Sequence, residues 1–497
     1  MNHPPPISKR VVVVGAGIAG LSAAIYAQRA GFDVTVLEKH VIPGGLCTSW
    51  TRKGYTFEGG MHWLTGSSEK LALNQIWKEV GALRKNNPIF IKDPFYTLVN
   101  GGKTLHLYRD ADRLRAHFLE HAPEDAAAIR RLHRDICLFR GVHMIVSDIP
   151  FLKTRKAFRP SVSECLGMAP ALLRLGALTN MTYADYVGMF KNSDIRHLLM
   201  AVNGTRYNAL SLVYTLASFS TGDCGYPEGG SLRLTQNMTE RLAELGGTLL
   251  LRQNVEKIII ENGKASGVTA GGKLYPADAV IVTQDTRQAI DTLFGAPFSE
   301  RWASKMRKNV VSEQTMFVAL GVKADLHDMP RAVILPLEKP FSAGGLEFGE
   351  LRVNNYASYK GCAPEGSSCV TCLLLGDSWN FWKAAKEDGS YAAKKAELAE
   401  RFTAVLSEYI PQVKGAVEVS DVATPLTYSR YCGVFEGGWM SVMGPGGKPY
   451  TYPSKSKTVR GLYFASQRTI VPGGLPIAVA AGRRAAQYVC RDNKVIF

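Results

Sequence analysis

Three glycines near the start of the chain, Gly15, Gly17 and Gly20, have the spacing that most clearly points to chemistry. They follow four consecutive valines, so the pattern predicts a buried strand that turns sharply into a helix. Gly15 permits the tight turn, Gly17 lets the backbone approach a pyrophosphate, and Gly20 lets the helix pack closely on the strand. The free N–H groups at the start of such a helix attract phosphate. The stretch therefore predicts the opening βαβ unit of a dinucleotide-binding fold.

A carboxylate follows at the end of the second predicted strand, residues 33–37. Glu38 stands 18 positions after Gly20, where it can accept hydrogen bonds from an adenosine ribose and repel a 2′-phosphate. The alternative is a glycine-rich turn with an ordinary surface glutamate. Lys9 and Arg10 before the apolar run also resemble a signal peptide or a membrane span, but the glycines within the run argue against both. We therefore expect no targeting segment and no transmembrane helix.

Paired glycines come soon after Glu38, at Gly44 and Gly45, and the segment 57–60 reads Phe-Glu-Gly-Gly. On these residues the chain resembles the FAD-dependent amine oxidases and phytoene desaturases, most closely the carotenoid isomerase and retinol saturase branch. The resemblance implies FAD as cofactor, with the paired glycines at the flavin diphosphate and ribityl chain and the segment 57–60 beside the isoalloxazine. Many members have arginine after the paired glycines, whereas this chain has Leu46. That phosphate contact is either missing or supplied elsewhere.

The C-terminal stretch resembles the closing motif of the same family. A strand over 461–466 precedes a tight loop with Gly473 and Gly474 and a helix over 477–489. The resemblance implies that the start of this helix faces the pyrimidine edge of the flavin and stabilises the negative charge gained on reduction. The family usually has Gly-Asp or Gly-Ala at the strand end, but this chain has Ser466 there. Either this serine replaces a carboxylate contact to the ribityl chain, or the flavin sits slightly differently.

The resemblance implies that residues in all three predicted nucleotide-binding segments contact the cofactor. They are Gly15, Gly17, Ile18, Ala19, Gly20, Glu38, Lys39, Gly44, Gly45, Leu46, Gly60, Met61, His62, Val255, Ser466, Gly473, Gly474, Leu475, Pro476 and Ile477. Glu58, His62 and Arg430 are polar residues in stretches expected near the flavin, and each is either a catalytic acid or base or a structural residue. The sequence indicates no catalytic triad and no metal site.

The resemblance also implies an α/β fold with a FAD-binding Rossmann-like domain of the glutathione reductase type. Segments 1–65, 226–300 and 456–497 form that domain, 66–225 form a helical lobe, and 301–455 form an α+β substrate domain. Local patterns predict a hairpin around Asn100-Gly101, strands over 315–320 and 368–375, and a helix over 391–409.

The composition and net charge restrict the kinds of partner that the protein is expected to bind. The chain has 497 residues, 46% hydrophobic and 21% charged, which is typical of a globular protein and not of a disordered one. Its net charge of +16 and pI of about 9.3 suit an anionic partner, although a basic protein without such a partner is the alternative. Zinc-finger spacing, RNP-like strands and dense Lys/Arg blocks are absent from the sequence, so we expect no nucleic acid partner.

An apolar stretch over 166–178 is shorter than the ~20 residues that span a bilayer. We expect it either to lie on a membrane surface, as an entrance for a lipid-soluble substrate, or to be a buried helix. The basic residues near it are Lys153, Arg155, Lys156, Arg159 and Arg174.

Nine cysteines, an odd number without framework spacing, favour a reducing compartment. We therefore expect a cytoplasmic protein with peripheral membrane contact. Cys369 and Cys372 have C-x-x-C spacing but lie in a predicted strand, where residues three apart point to opposite faces. This placement disfavours a redox or metal role.

The resemblance implies a long apolar isoprenoid or polyene substrate whose C–C bonds are desaturated, saturated or isomerised by hydride exchange at flavin N5. A second G-x-G-x-x-G for a nicotinamide is absent, so quinone, oxygen or no net redox is favoured, and the electron acceptor stays open. Two alternatives remain. One is an amine or amino-acid oxidase, which would need an aromatic cage. The other is a non-catalytic lipid binder like the Rab GDP-dissociation inhibitors, which the intact glycine set disfavours.

Overall fold

The computed structural model describes residues 8–154, 157–447 and 450–497. Its strands are β1 (Arg10–Val14), β2 (Asp33–Leu37), β3 (Ser49–Arg52), β4 (Tyr55–Glu58), β5 (Ile89–Phe90), β6 (Tyr96–Asn100), β7 (Lys103–Leu107), β8 (Tyr226–Pro227), β9 (Thr248–Leu250), β10 (Val255–Glu261), β11 (Lys264–Ala270), β12 (Lys273–Pro276), β13 (Ala279–Val282), β14 (Ser312–Glu313), β15 (Thr315–Val322), β16 (Ala332–Ala343), β17 (Leu346–Asn355), β18 (Ser368–Leu375), β19 (Val417–Ala423), β20 (Met440–Ser441) and β21 (Leu462–Phe464).

The helices are α1 (Ile18–Arg29), α2 (Ala72–Glu79), α3 (Ala111–His121), α4 (Ala126–Phe139), α5 (Val162–Met168), α6 (Leu172–Asn180), α7 (Tyr183–Val187), α8 (Ser193–Met200), α9 (Ala209–Ser220), α10 (Gly230–Glu244), α11 (Thr286–Thr292), α12 (Arg301–Asn309), α13 (Trp379–Glu387), α14 (Tyr391–Tyr409), α15 (Pro425–Cys432) and α16 (Leu475–Asp492).

A parallel five-stranded sheet, in the order β21-β13-β1-β2-β9, forms the nucleotide-binding side of the molecule. The four valines of β1 are buried on both faces of this sheet, since Val11 and Val13 join one core cluster and Val12 and Val14 join another. Helices α1, α10 and α16 cover one face, and the antiparallel sheet β10-β11-β12 covers the other. Burial on both faces explains why β1 is a continuous apolar run.

A mixed seven-stranded sheet, in the order β19-β15-β18-β17-β16-β6-β7, forms the other half of the molecule. One face packs on α13 and α14 around Trp382 and Phe402. The opposite face, called here the inner face, turns toward the interior of the protein. Cys369 and Cys372 lie in different core clusters on the two faces of β18, as their spacing predicts. The mixed α/β fold class predicted from the sequence is confirmed.

Local predictions held best where periodicity was strong. The strand over 368–375 and the helix over 391–409 are confirmed to the residue. The predicted hairpin turn is wrong by one position, because Asn100 pairs with Lys103 and the turn is Gly101-Gly102. Both glycines have positive φ, a conformation that costs glycine little because it has no Cβ.

Helices α3 to α9 form a lobe around a core of their own. The apolar stretch 166–178 is not one helix, since α5 and α6 are separated by a 3-10 turn that contains Pro170. Leu172 and Leu173 are 68% and 81% exposed, so the buried-helix alternative is wrong for this stretch. Within the described residues, no helix combines the length and the apolar character needed to cross a bilayer.

Candidate functional site

A long open cleft of about 930 Å³ lies at the carboxyl ends of β1, β2 and β13. Ligands of open parallel sheets bind at this edge, because loops diverge there and helix N-termini face it. The cleft is lined by Val14, Gly15, Gly17, Ile18, Ala19, Leu37, Glu38, Lys39, Gly44, Gly45, Leu46, Cys47, Gln253, Asn254, Val255, Thr283, Gln284, Asp285, Cys432, Gly433, Val434, Ser466, Gln467, Gly474, Leu475 and Ala478.

Two glycine turns form the floor of the cleft. The Gly44 N–H donates to Ala16 O at 2.9 Å, and Gly17 and Gly44 form a short parallel bridge. A Cβ on Gly17 would meet no atom closer than Gly44 O at 3.8 Å, so the space that it would fill is the cleft itself. At Gly20, by contrast, a Cβ would lie 1.9 Å from Gly15 O. Gly17 thus keeps backbone open to a ligand, whereas Gly20 lets α1 pack beneath it.

Glu38 and Lys39 stand at the end of β2 and supply the charge at this end of the cleft. One Glu38 oxygen accepts from Ala16 N at 2.7 Å and the other from His40 N at 2.8 Å, which fixes the carboxylate in the cleft wall. Lys39 is the only lysine or arginine among the lining residues described, and its Nζ donates to Arg430 O at 2.7 Å. Partial burial lowers the pKa of Lys39. Lys39 is therefore the cation available where the family arginine is replaced by Leu46.

A buried ion pair braces the opposite wall. Arg468 is fully buried, and its Nε donates to Asp285 Oδ2 at 3.0 Å. The same guanidinium donates to Ser441 Oγ and Gly438 O, and Asp285 also accepts N–H bonds at the start of α11. Ser466 bonds Thr286 Oγ1 at 2.7 Å. Ser466 thus lies in the cleft wall beside the segment after β13 that carries the carboxylate of Asp285.

Unpartnered polar atoms lie close to the cleft, at His62 and Trp439. Both ring nitrogens of His62 and the indole nitrogen of Trp439 are buried without a hydrogen-bond partner among the described residues. The two rings lie 5.9 Å apart, and the Trp439 carbonyl accepts from the cleft residue Gln467. Buried polar groups are normally paired, so these atoms fit a polar ring system that reaches this point. Burial, with Arg352 and Lys92 nearby, holds the pKa of His62 well below its usual value.

Glu58 and Arg430, the other two residues predicted as acids or bases, are placed differently. Glu58 is 3% exposed, and its oxygens accept from the backbone N–H groups of Gly60, Met61 and Ser231 and from the Tyr226 hydroxyl. These bonds give it a clear structural task, which is to hold the turn before His62. The side chain of Arg430 is exposed and lies over Tyr431, outside the cleft lining.

Most predicted cofactor contacts come together in the cleft, but some do not. Those in the lining are Gly15, Gly17, Ile18, Ala19, Glu38, Lys39, Gly44, Gly45, Leu46, Val255, Ser466, Gly474 and Leu475. Those outside it are Gly20, Gly60, Met61, His62, Gly473, Pro476 and Ile477. A Cβ on Gly60 would lie 2.7 Å from Leu46 O, so the turn that precedes His62 packs directly behind the cleft. The contact set as a whole stays a prediction.

Several lining residues were not expected from the sequence. Thr283, Gln284 and Asp285 follow β13 and reach the cleft because β13 lies beside β1 with parallel register. The Thr283 hydroxyl donates to Val14 O at 2.8 Å, which ties this loop to the first glycine turn. A polar run after a buried parallel strand was the signal available for this loop. Segments 253–254 and 432–434, which also line the cleft, have no comparable local signal.

Fold and cleft together define a mixed α/β protein that holds an extended nucleotide-type ligand at its strand ends. The profile of the family described as "Flavin containing amine oxidoreductase" matches residues 18–490. The chain belongs to this family, its cofactor is FAD, and it is an FAD-dependent oxidoreductase. Among the residues described, no group of three or more His, Cys, Asp or Glu side chains is placed to hold a metal ion.

Named relatives refine the comparison. The chain is 26% identical to a phytoene desaturase (lycopene-forming) of Paracoccus sp., over 99% of each chain. It is 24% identical to an Arabidopsis thaliana prolycopene isomerase, over 97% of this chain and 82% of the relative, and 24% identical to a Macaca fascicularis all-trans-retinol 13,14-reductase, over 85% and 75%. A solved putrescine oxidase variant, 16% identical, matches with a TM-score of 0.64 over 98% and 100%. That last likeness shows the fold alone.

Proposed function

We propose that the protein acts on C–C or C=C bonds of a long apolar isoprenoid or polyene, which it desaturates, saturates or isomerises. When bound, FAD supplies hydride exchange at N5. The chain supplies the glycine turns and Lys39 that hold the cofactor, and an interior beyond His62 and Trp439 that excludes water from the substrate. The named relatives at 24–26% identity over most of the chain support this substrate class.

The buried region around Lys92 and Arg352, called here the interior beyond His62, is positively charged. This charge is the reason to prefer a polyene over an amine as substrate. The cations Lys92 and Arg352 are 7% and 8% exposed and lie close enough to lower the pKa of His62. Glu58 is the acidic side chain near Lys92, and all its bonds are to donors of the protein itself. An ammonium substrate would meet the positive charge of Lys92 and Arg352 there. An amine oxidase activity is therefore disfavoured, although solved amine oxidases share the fold.

His62 is the best placed of the three polar residues predicted as acids or bases. Its low pKa keeps the imidazole neutral near pH 7, so one ring nitrogen can accept a hydrogen bond from a ligand. Glu58 we assign to holding the turn before His62, and Arg430 to the surface. Either assignment is open to test by substitution.

An exposed apolar surface on the helical lobe supports entry from a membrane. Phe151, Leu166, Leu172 and Leu173 are 94%, 67%, 68% and 81% exposed. Lys153 and Arg159 are exposed in the same stretch, which adds attraction to anionic lipid. Of the other basic residues expected here, Arg174 pairs with Asp135, and Arg155 and Lys156 lie outside the described residues. We propose peripheral membrane association through this lobe, with segment 301–455 as the substrate domain.

Product analysis tests the proposal. FAD-loaded protein is incubated, oxidised in air and dithionite-reduced under anaerobic conditions, with phytoene, prolycopene and retinol in lipid vesicles and, separately, with a panel of primary amines. We expect a polyene product that differs by two hydrogens or by double-bond geometry, and no peroxide from amines. Unchanged polyenes together with amine-dependent peroxide would establish the amine oxidase instead. A protein that cannot be loaded with FAD would favour the non-catalytic lipid binder.

A further inference from the structure

Four basic side chains lie close together inside the protein on the far side of His62. Lys92, Arg109 and Arg352 are 7%, 7% and 8% exposed, and Arg331 is half-buried. Lys92 lies over the Tyr226 ring, which contacts the Tyr359 ring at 4.9 Å, and Arg331 lies 5.2 Å from the centre of that second ring. Positive charge on Arg331, Arg352 and Arg109 also lowers the pKa of Lys92. Among the residues described, none of the four forms an ion pair with a carboxylate of the protein. Buried lysines and arginines are rare without a partner, because desolvation of an unpaired charge is costly.

Lys92 is the least satisfied of the four. It has no hydrogen bond within the described residues, and its Nζ lies 5.8 Å from the centre of the Tyr226 ring. Burial and the neighbouring arginines lower its pKa to about 8, so the ammonium is still charged at pH 7. Glu58, the acidic residue that raises its pKa, is occupied by its own four donors. Lys92 is thus a buried cation that forms no ion pair with the described residues.

Arg352 places the second charge on the inner face of the seven-stranded sheet. Its Nη1 donates to Ala201 O at 2.9 Å and Val202 O at 3.3 Å, at the end of α8, where the helix dipole favours a cation. These carbonyls orient the guanidinium but leave its charge unpaired. Because residues two apart in a strand share a face, Asn354 lies on the same side of β17 as Arg352.

Two more unpartnered polar groups continue this inner face. The Asn354 Nδ2 and the Thr371 Oγ1 are buried without a hydrogen-bond partner among the described residues. The two residues stand directly opposite each other in β17 and β18. An amide N–H, a hydroxyl and two cations therefore face the interior beside His62. All four can donate a hydrogen bond to a ligand.

A carboxylate is the ligand that satisfies these donors. It offers two oxygens with several lone pairs, it accepts from a guanidinium and an ammonium together, and it pairs the buried charge. We propose that Lys92 and Arg352, with Asn354 and Thr371, form a subsite that binds the terminal carboxylate of the substrate. This inference rests on the proposed function and narrows its substrate to a polyene with a terminal carboxylate. A long-chain fatty acid offers the same carboxylate chemistry and is the other source that the test distinguishes.

Paired ligands that differ only in the head group test the subsite without turnover. The holoenzyme is titrated at pH 7 with all-trans-retinoic acid against all-trans-retinol, and with oleic acid against oleyl alcohol, by equilibrium dialysis. We expect about tenfold tighter binding of the acid in at least one pair, the difference typical of a charge-assisted hydrogen bond. A preference in the retinoid pair identifies an acidic polyene, and one in the oleyl pair identifies a fatty acid. Because the subsite is buried, the preference is little changed by salt.

Substitutions of Lys92 test whether this side chain causes the preference for the acid over the alcohol. Lys92→Gln and Lys92→Met are expected to reduce the acid preference to about twofold or less, whereas Lys103→Gln, on the exposed hairpin, leaves it unchanged. The methionine variant serves if the glutamine variant does not fold. Equal binding of acid and alcohol in the wild type, absence of binding by either acid, or a preference that survives both Lys92 changes would overturn the subsite. Acid preference without polyene turnover would instead contradict the proposed function and leave the subsite standing.

Discussion

The FAD cleft and the interior beyond His62 treat buried polar groups in opposite ways. In the cleft wall, the guanidinium of Arg468 is paired with Asp285 and donates to three further acceptors, and both oxygens of Glu38 accept hydrogen bonds. In the interior, Lys92 and Arg352 are buried and form no ion pair with a carboxylate of the described residues. The polar groups of the cleft wall are therefore satisfied by the protein, whereas the interior carries charge that the proposed carboxylate would pair.

This difference predicts that the polar groups of the cleft wall contribute mainly to stability and the interior charges mainly to substrate specificity. Buried ion pairs are costly to break, because removal of one partner leaves the other charge buried and unpaired. An unpaired buried cation lowers stability in the free protein and is repaid only when substrate binds, which is a common feature of functional sites. Substitutions on the two sides should therefore change the free energy of unfolding in opposite directions.

The largest expected effect is at the buried ion pair of the cleft. Arg468→Met leaves Asp285 charged and unpaired, so we expect the free energy of unfolding to fall by about 3–5 kcal/mol. Chemical denaturation measures the loss. Arg460→Met, an exposed residue that bonds only one carbonyl, serves as control and should change stability by less than about 0.5 kcal/mol. Equal stability of the two variants would show that the pair does not brace the cleft.

The next effect is steric, beneath the first glycine turn. Gly20→Ala places a Cβ about 1.9 Å from Gly15 O, so we expect a loss of about 3 kcal/mol and poor FAD retention after gel filtration. Gly176→Ala, on exposed helix α6 with no atom within 4 Å, is the matched control. It should be neutral or slightly stabilising, because alanine favours helix. Full FAD content in the Gly20 variant would contradict the close packing of α1.

Removal of the interior charge should stabilise the free protein. The pKa of Lys92 is lowered to about 8, so between pH 8 and 10.5 the unfolded chain binds more protons than the folded one. The penalty is full below pH 8 and fades as the pH rises to 10.5. We expect Lys92→Met to gain about 2 kcal/mol at pH 7 and little at pH 10.5, by denaturation at both pH values. A loss of stability at pH 7 would mean that Lys92 already has a partner.

The smallest effect concerns the cation that stands in for the family arginine. Lys39→Gln should weaken FAD binding by about 0.5–1 kcal/mol, or roughly two- to fivefold, because the side chain is only half-buried and the contact is screened. The weakening should shrink in high salt. FAD titration of deflavinated protein measures it, with Lys53→Gln on the exposed β3–β4 turn as control. An identical affinity for both variants would remove Lys39 from the phosphate contacts.

The nucleotide-binding half was predictable from the sequence because its signals are local. A glycine turn, a strand-end carboxylate and a glycine loop before a helix each occupy a few adjacent residues, and each fixes its own backbone geometry. Gly15, Glu38 and Gly474 accordingly line one cleft. The sequence did not indicate Asp285, because its position in the cleft depends on which strand lies beside β1. No short segment of sequence determines the order of strands in a sheet.

The interior was even less predictable, because its residues come from segments that lie far apart in the sequence. Lys92 and Arg352 are 260 positions apart, and each alone reads as an ordinary surface charge. Only the packing of β17 against the rest of the interior buries them together. The hairpin shows the limit even of local signals, since the turn uses Gly101-Gly102 and not Asn100-Gly101.

Anaerobic mixing of the FAD-loaded protein with a polyene tests the central claim most directly. The flavin and polyene absorption bands are followed together, once with oxidised and once with dithionite-reduced protein. We expect the polyene band to change in at least one state: with bleaching of the oxidised flavin for desaturation, with recovery of oxidised flavin for saturation, or with an unchanged flavin for isomerisation. A polyene band that stays the same with both oxidised and reduced protein, for acidic and neutral polyenes alike, would contradict the account.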